Sequence, residues 1–244
     1  MPFEKDHLIY VNLTSTVKET NELIETTLED KAKEFNVYDP TRKYRKKLVA
    51  IGESWVLEGL DKKLGEMALG EKTSMEIPPE SAFGTWDPAK LKITPLRRFG
   101  ERAPQLKVGD EVELDNRVGH VKLIGSGRVH LDFNHKYAGK TIKYDVEILQ
   151  EVKEDLEKAR ALFARRIPID EEKIKCIIQE NVLTYDIPEE LYLEEGLQIV
   201  KKALSNDVFK FLPNITKVIF QETYENQSKV EKKEQTEQPP TTQQ

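Results

Sequence analysis

Residues Asp132–Leu149 read DFNHKYAGKTIKYDVEIL. Gly139-Lys140-Thr141 matches the end of a phosphate-binding loop, yet the residues that follow alternate. Ile142, Tyr144, Val146 and Ile148 fall on one side, and Lys143, Asp145 and Glu147 on the other. A phosphate loop needs glycine five residues before Gly139, where Asn134 stands. It also needs a helix after the Lys-Thr pair, whose N-terminus helps hold the phosphate. A period of two instead predicts a half-buried strand. The stretch is therefore a turn feeding a strand, with Gly139 free to take a positive φ and Lys140 a surface charge.

The segment before this turn, from Thr85 to Asn134, is strand-like. Leu91-Lys92-Ile93, Glu111–Leu114, Val118–Ile124 and Val129–Phe133 are separated by turn signals at Gly109-Asp110, Asp115-Asn116 and Gly125-Ser126-Gly127. Short strands at this spacing predict a small β-module. Upstream, Leu8–Leu13 reads as a strand, Thr27-Leu28-Glu29-Asp30 as a capping box opening a short helix that Pro40 stops, and Lys47–Ile51 as a strand. Leu57, Leu60, Leu64 and Met67 predict an amphipathic helix over Glu53–Met67, followed by a strand at Thr73–Ile77. Downstream, Val152, Leu156, Ala159 and Phe163 form a helical stripe, and Lys173–Gln179 and Val182–Ile187 are strand candidates. Pro188 opens a helix with Glu189 and Glu190 in its first turn and Leu193, Leu197, Val200 and Leu204 on its apolar side. Lys217–Glu222 is a last strand. The polar tail, 226–244, cannot bury enough apolar surface to order itself.

Charge and composition narrow the chemistry. The chain has 244 residues and a net charge of −6, so no global basic field draws it to nucleic acid or anionic membrane. Thr85–Asn134 carries nine Lys/Arg against seven Asp/Glu. Solvated β-surface outweighs RNA binding there, despite the basic-aromatic run Leu96-Arg97-Arg98-Phe99. Cys176 is the one cysteine and sits in an apolar, β-type context, the setting of a buried structural thiol. The four histidines are scattered, without the spacing of metal ligands. No run is long and apolar enough for a membrane helix, and no leader is recognisable; the expectation is a soluble, cytoplasmic protein.

Three segments together resemble the FKBP family of peptidyl-prolyl isomerases, in particular its long, SlyD-like archaeal members. They are Gly52–Asp61 (GESWVLEGLD) continuing to Met67–Lys72 (MALGEK), Ile77–Gly84 (IPPESAFG), and the opening stretch Asp132–Leu149. Their order and spacing match, and the β-module enters after Ala82-Phe83-Gly84, where SlyD-like proteins carry a chaperone domain. The resemblance implies an α+β fold, an antiparallel FKBP half-barrel around one helix. Its expected layout is an isomerase domain over 1–84 plus 135–150, an inserted β-rich domain over 85–134 and a C-terminal αββαβ domain over 151–225, with 226–244 as tail.

It also implies an isomerase that rotates X–Pro bonds without cofactor or metal and acts as a chaperone for unfolded or proline-containing polypeptides. By family alignment Leu60 is the pocket floor, with Val56 and Leu57 beside it and the Leu57 N–H facing the substrate carbonyl. Tyr144 and Phe83 form walls, Glu25 takes the place of the family's pocket Asp, and Leu13 that of a Tyr on the first strand. In the insert, Leu91, Ile93, Leu96 and Phe99 would hold clients. Read without the family, Leu57, Leu60 and Leu64 are more simply the core face of a helix, and Tyr144 fits a buried strand face. Because Leu13 and Phe83 lack hydroxyls and Glu25 is longer than Asp, a non-enzymatic holdase on the same scaffold is the competing reading. The helix after Pro188 either packs on its own strands or joins two copies as a homodimer.

Overall fold

The computed structural model describes residues 3–224, and the chain divides into two compact units, Met1–Glu151 and Val152–Gln244. The tail beyond Asn226 lies outside the described residues. In the first unit the elements are β1 (Leu8–Val17), β2 (Leu23–Thr26), α1 (Glu29–Glu34), β3 (Lys47–Ala50), α2 (Glu58–Glu66) and β4 (Lys72–Ile77). After them come β5 (Leu91–Pro95), β6 (Glu111–Leu114), β7 (Arg117–Gly125), β8 (Arg128–Asp132) and β9 (Ile142–Val152). They make two antiparallel sheets. One runs β2-β1-β9-β4 with β3 also on β1, and the other, β5-β8-β7-β6, is built wholly from the chain between β4 and β9.

The first sheet closes on α2. Ile142, Tyr144, Val146 and Ile148 of β9 are all buried, and with Ile9, Val11 and Leu13 of β1 they pack on Leu60 and Leu64. Each fully buried leucine contributes about 1.5–3 kcal/mol, so α2 is held by packing; at nine residues it is too short to persist on its own propensity. The helix starts later than its apolar spacing predicts. Gly52 and Ser54 take φ values of 76° and 53°, and the buried Asp61 carboxylate accepts their N–H groups at 3.0 and 3.4 Å. The turn thereby gains a partner inside the helix, and residues 53–57 stay out of it. The capping box is likewise not formed. Leu28 is the N-cap of α1, while the Thr27 hydroxyl accepts the Leu13 N–H at 2.9 Å. The sheet claims the side chain that the helix would have used.

The two strands of chain that lead into and out of the second sheet are sewn together by the opening stretch. Asn134 is buried; its Nδ2 donates to the Asp87 carbonyl at 2.9 Å and to Asp132 Oδ1 at 2.8 Å, and its Oδ1 accepts the Asp87 N–H at 3.0 Å. The Trp86 indole donates to Asp132 Oδ2 at 3.1 Å. Burial pushes the Asp132 carboxyl up, but these bonds from Trp86 and Asn134 outweigh it and hold the group below its usual range. Gly139 has φ 73° and donates its N–H to the Gly84 carbonyl at 2.8 Å, and a Cβ there would meet Trp86 Cβ at 2.9 Å. Glycine is required here on both counts. Asn134→Ala leaves the Asp87 N–H and carbonyl without this partner, while Asp132 Oδ1 keeps the backbone N–H of residue 134, at a cost of about 1–3 kcal/mol. Expected results are a lower denaturation midpoint and faster amide exchange at Asp87; unchanged exchange there would show that the junction is held by other contacts.

The second unit contains α3 (Asp155–Arg166), β10 (Lys175–Gln179), β11 (Val182–Asp186), α4 (Leu197–Phe211) and β12 (Lys217–Gln221), with sheet order β10-β11-β12. β10 and β11 form a hairpin, whereas β11 and β12 are parallel and need α4 as crossover. Tyr185 fills the core, its hydroxyl donating to the Ala159 carbonyl at 2.8 Å and its ring between Phe163 and Phe220. Cys176 is buried, and burial pushes its thiol up.

Two apolar stripes in this unit depart from expectation. The continuous helix from Pro188 is broken into a single 3-10 turn at Glu189–Leu191 and then α4, because Gly196 enters α4 in the left-handed conformation. Leu193 is thereby stranded outside both, 97% exposed. In α3 the buried side runs through Ala159, Ala161, Leu162 and Phe163, so Leu156 faces outward. Val152 belongs to the end of β9. Among the described residues no helix is long and apolar enough to cross a membrane.

Candidate active site

Six of the seven residues proposed for the pocket meet in one apolar cluster. Leu13 comes from β1, Leu60 from α2 and Tyr144 from β9, all buried; Val56, Leu57 and Phe83 pack against them and remain half-buried. The three buried groups lie inside the core, and the three half-buried ones lie at its boundary with solvent. Leu57 is the N-cap of α2, with φ −57° and ψ 143°, and no side chain caps it. The first helical bond runs from the Asp61 N–H to the Leu57 carbonyl at 2.9 Å. The Leu57 N–H is thus among the donors that a helix leaves without an intrahelical acceptor, at the end of the dipole that favours a carbonyl oxygen.

The seventh residue behaves differently. Glu25 pairs with Ser15 in the β1–β2 register, but its carboxylate is tied to Lys47 at 2.8 and 3.0 Å and stays outside the apolar cluster. Its charge still reaches Tyr144. Burial pushes the Tyr144 hydroxyl up to about 12, the Glu25 carboxylate adds to the rise, and a hydrogen bond with Ser15 opposes it. Tyr144 is therefore a neutral phenol at any ordinary pH and can donate a hydrogen bond.

Several residues of the site went unread in the sequence. Ser15 lies two positions after Leu13 on β1, so the strand period could have placed it on the same face. Lys47 reaches Glu25 only because β3 and β2 share one edge of β1, which no local pattern signals. Ile24, Met75 and Tyr137 also pack against the cluster, Met75 directly opposite Tyr144 in the β4–β9 register.

The four residues expected to hold clients are divided between two faces of the second sheet. Leu91 and Ile93 pair with Asp132 and His130 and lie on its outer face, 43% and 56% exposed. Across β8 the same rows continue to His120 and Leu123 on β7, and Leu123 too is exposed. Leu96 and Phe99 do not join them. They pack half-buried against Val112, Val121, Val129 and Leu131, the small core on the other side. The 3-10 segment Leu96–Gln105 is how the chain covers that core, which explains its alternation of apolar and charged residues.

What these elements bring together is an apolar cluster beside the N-terminus of α2. Comparison with known proteins gives the family. Residues 92–137 match the family model described as FKBP26, IF domain, and residues 155–225 the one described as FKBP26_C-terminal. The chain is 27% identical over 139 residues to the short-type peptidyl-prolyl cis-trans isomerase of Methanocaldococcus jannaschii, covering 57% of this chain and 88% of that one. It is 32% identical over 102 residues to the probable FKBP-type 16 kDa peptidyl-prolyl cis-trans isomerase of Pseudomonas fluorescens, covering 41% and 68%. To the FKBP-type peptidyl-prolyl cis-trans isomerase SlyD of Helicobacter pylori it is 30% identical over 111 residues, covering 43% and 60%. The chain belongs to the FKBP-type peptidyl-prolyl cis-trans isomerases.

Proposed function

We propose that this chain rotates X–Pro bonds in unfolded polypeptides of the cytoplasm, using the cleft of Leu13, Val56, Leu57, Leu60, Phe83 and Tyr144, and holds those polypeptides on the inserted sheet, residues 85–134. The supporting observation is the convergence of those six side chains from β1, the turn into α2, α2 itself, the loop after β4 and β9 into one cluster. The reaction breaks no bond, so it needs neither nucleophile nor acid–base pair. Its barrier is roughly 18–20 kcal/mol, crossed unaided in about 10–100 s. A twisted amide has lost its resonance and with it much of its charge separation, so an apolar cleft favours it over the planar ground state. The Leu57 N–H would fix the substrate carbonyl while the proline ring rests on Leu60.

Catalysis here has to run without two of the family's hydroxyls, since Leu13 and Phe83 carry none. Tyr144 supplies the one phenol of the proposed pocket. A net hydrogen bond contributes about 0.5–1.5 kcal/mol, so Tyr144→Phe is expected to lower kcat/KM about 2- to 13-fold, with the fold intact by circular dichroism. Glu25, paired with Lys47 outside the cluster, would act only through its charge on Tyr144. The competing reading, a holdase with a decayed site, is separated by assaying a short proline peptide and an unfolded protein side by side. Acceleration of the peptide supports the isomerase. No acceleration at micromolar protein, with a large gain on Leu13→Tyr, Phe83→Tyr and Glu25→Asp, supports the holdase. For the second unit we propose self-association through α4, where Ile199 and Phe209 are exposed, and sedimentation with and without the residues after Glu151 tests it.

A further inference from the structure

Phe83 is a half-buried wall of the cleft, and a second ring covers it. The His135 imidazole lies on Phe83 with ring centroids 4.3 Å apart and planes 6° from parallel. Tyr137 meets Phe83 at 5.5 Å and His135 at 5.9 Å, so the three rings form a closed set. His135 is held in place from its own turn. Its Nδ1 accepts the Tyr137 backbone N–H at 3.2 Å, and its carbonyl accepts the Ala138 N–H at 2.9 Å. Tyr137 is anchored in turn by its hydroxyl, which donates to Glu22 Oε1 at 3.2 Å.

We propose that His135 is a positioning residue for the isomerase reaction: its neutral imidazole, fixed by the Tyr137 N–H, holds Phe83 against the cleft, and protonation releases that wall. The proposal rests on the pocket assignment above. An Nδ1 that accepts a backbone N–H carries no proton, so the ring proton sits on Nε2. Protonating Nδ1 removes the acceptor and points two N–H groups at each other, which the ring relieves by swinging out of the stack.

The charges around the turn act in the same direction or are already engaged. His120 of β7, when charged, opposes a cation at His135. Asp132 at the end of β8 is bound by Trp86 and Asn134, and Glu22 by Lys136 and Tyr137. Glu19 accepts the Thr141 N–H. Burial, and then His120, push the His135 imidazole below its ordinary value. The neutral ring is therefore the favoured form, even though an aromatic face attracts cations. The stack is present at neutral pH and is lost as pH falls through this lowered value, below the ordinary ~6.5 of histidine.

The test uses the full chain. The His135 ring signal is assigned by its loss in His135→Phe, and it is followed with the Phe83 ring signals by NMR between pH 4.5 and 8. Isomerase activity on a short peptide is measured over the same range. The expected result is one shared midpoint for both rings, with wild-type kcat/KM falling at least threefold through it. His135→Phe keeps a ring on Phe83 and is expected to stay within threefold of wild type at pH 7.5 with no acid loss, whereas His135→Ala is reduced at least fivefold at every pH. Independent midpoints for the two rings, or an acid loss that survives in His135→Phe, would overturn the proposal. A wild type with no activity at any pH would overturn the pocket assignment instead, and the shared midpoint would then carry the latch alone.

Discussion

Gly59→Val is expected to take isomerase activity below detection and to lower the denaturation midpoint of the first unit sharply, and Gly59→Ala to do the same in milder form. Gly59 lies on α2 between Leu57 and Leu60, two residues of the proposed pocket. A Cβ there would sit 2.5 Å from Ile77 Cγ2, 2.9 Å from Ser81 Cβ and 3.1 Å from the Ser81 carbonyl oxygen. Two effects oppose each other. Alanine favours a helix interior over glycine by about 1 kcal/mol, while overpacking a tight contact costs about 1–3 kcal/mol. The contacts decide between them. Ile77 ends β4, is buried in the same core as Leu60 and is fixed by its register with Ile142. Ser81 stands in the turn that carries the chain to Phe83, and its carbonyl cannot rotate away as a side chain can. Relief therefore comes from moving α2 off β4, which separates the Leu57 N–H from the Phe83 wall. For Gly59→Ala a tenfold loss of kcat/KM with a lower midpoint is expected. A raised midpoint would mean that helix propensity wins and that α2 does not press on β4.

What could be read in the sequence follows from which interactions leave a local trace. The strand after Thr141 was legible because one side of β9 is buried from Ile142 to Ile148, and burial on one side of a strand writes a period of two. The insertion point after Ala82-Phe83-Gly84 comes from the family resemblance alone; that the Gly139 N–H returns to the Gly84 carbonyl leaves no local trace. Helix boundaries were less legible than the strand. The start of α2 and of α4 are both set by residues with positive φ, Ser54 and Gly196 among them, and apolar periodicity runs through such positions unmarked. Asp61 illustrates the same blindness from the other side. A carboxylate on a helix reads as solvated surface, yet it is buried because two backbone N–H groups outside the helix need it. For Leu13, Leu60 and Tyr144, strand and helix spacing signals only burial, which the structure has; their pocket roles are what the family resemblance implies. The tie between Glu25 and Lys47 could not be read, since it depends on which strands share an edge. Nor could the division of Leu91 and Ile93 from Leu96 and Phe99, which follows from the chain crossing to the far face of its sheet after Pro95.

Removal of residues 85–134, closed by a short Gly-Ser link, is expected to lower kcat/KM on an unfolded protein about 10- to 100-fold while leaving a short proline peptide within threefold of the intact chain. The ends permit the deletion. Phe83 and His135 rings are stacked, and the Gly139 N–H already bonds the Gly84 carbonyl, so a few residues span the gap. The cluster around Leu60 is also built from β1, α2, β4, β9 and their flanking turns, separate from the core of the inserted sheet. The size of the effect comes from tethering. A client held on one surface meets a second site on the same molecule at an effective concentration in the millimolar range, which raises apparent affinity by about 10²-fold or more without a new contact at the second site. A short peptide that cannot reach both surfaces gains nothing from the insert and loses nothing with it. The outer face is tested without deletion by Ile93→Lys with Leu123→Lys, both exposed and therefore cheap for the fold. If holding occurs on that face, the double variant reproduces most of the loss on unfolded protein. If the deletion is damaging and the double variant is not, clients are held elsewhere on the insert, the sheet's unpaired edges at β5 and β6 being its other adhesive feature. An intact rate on unfolded protein after deletion would remove the insert from the mechanism and leave the cleft to work alone.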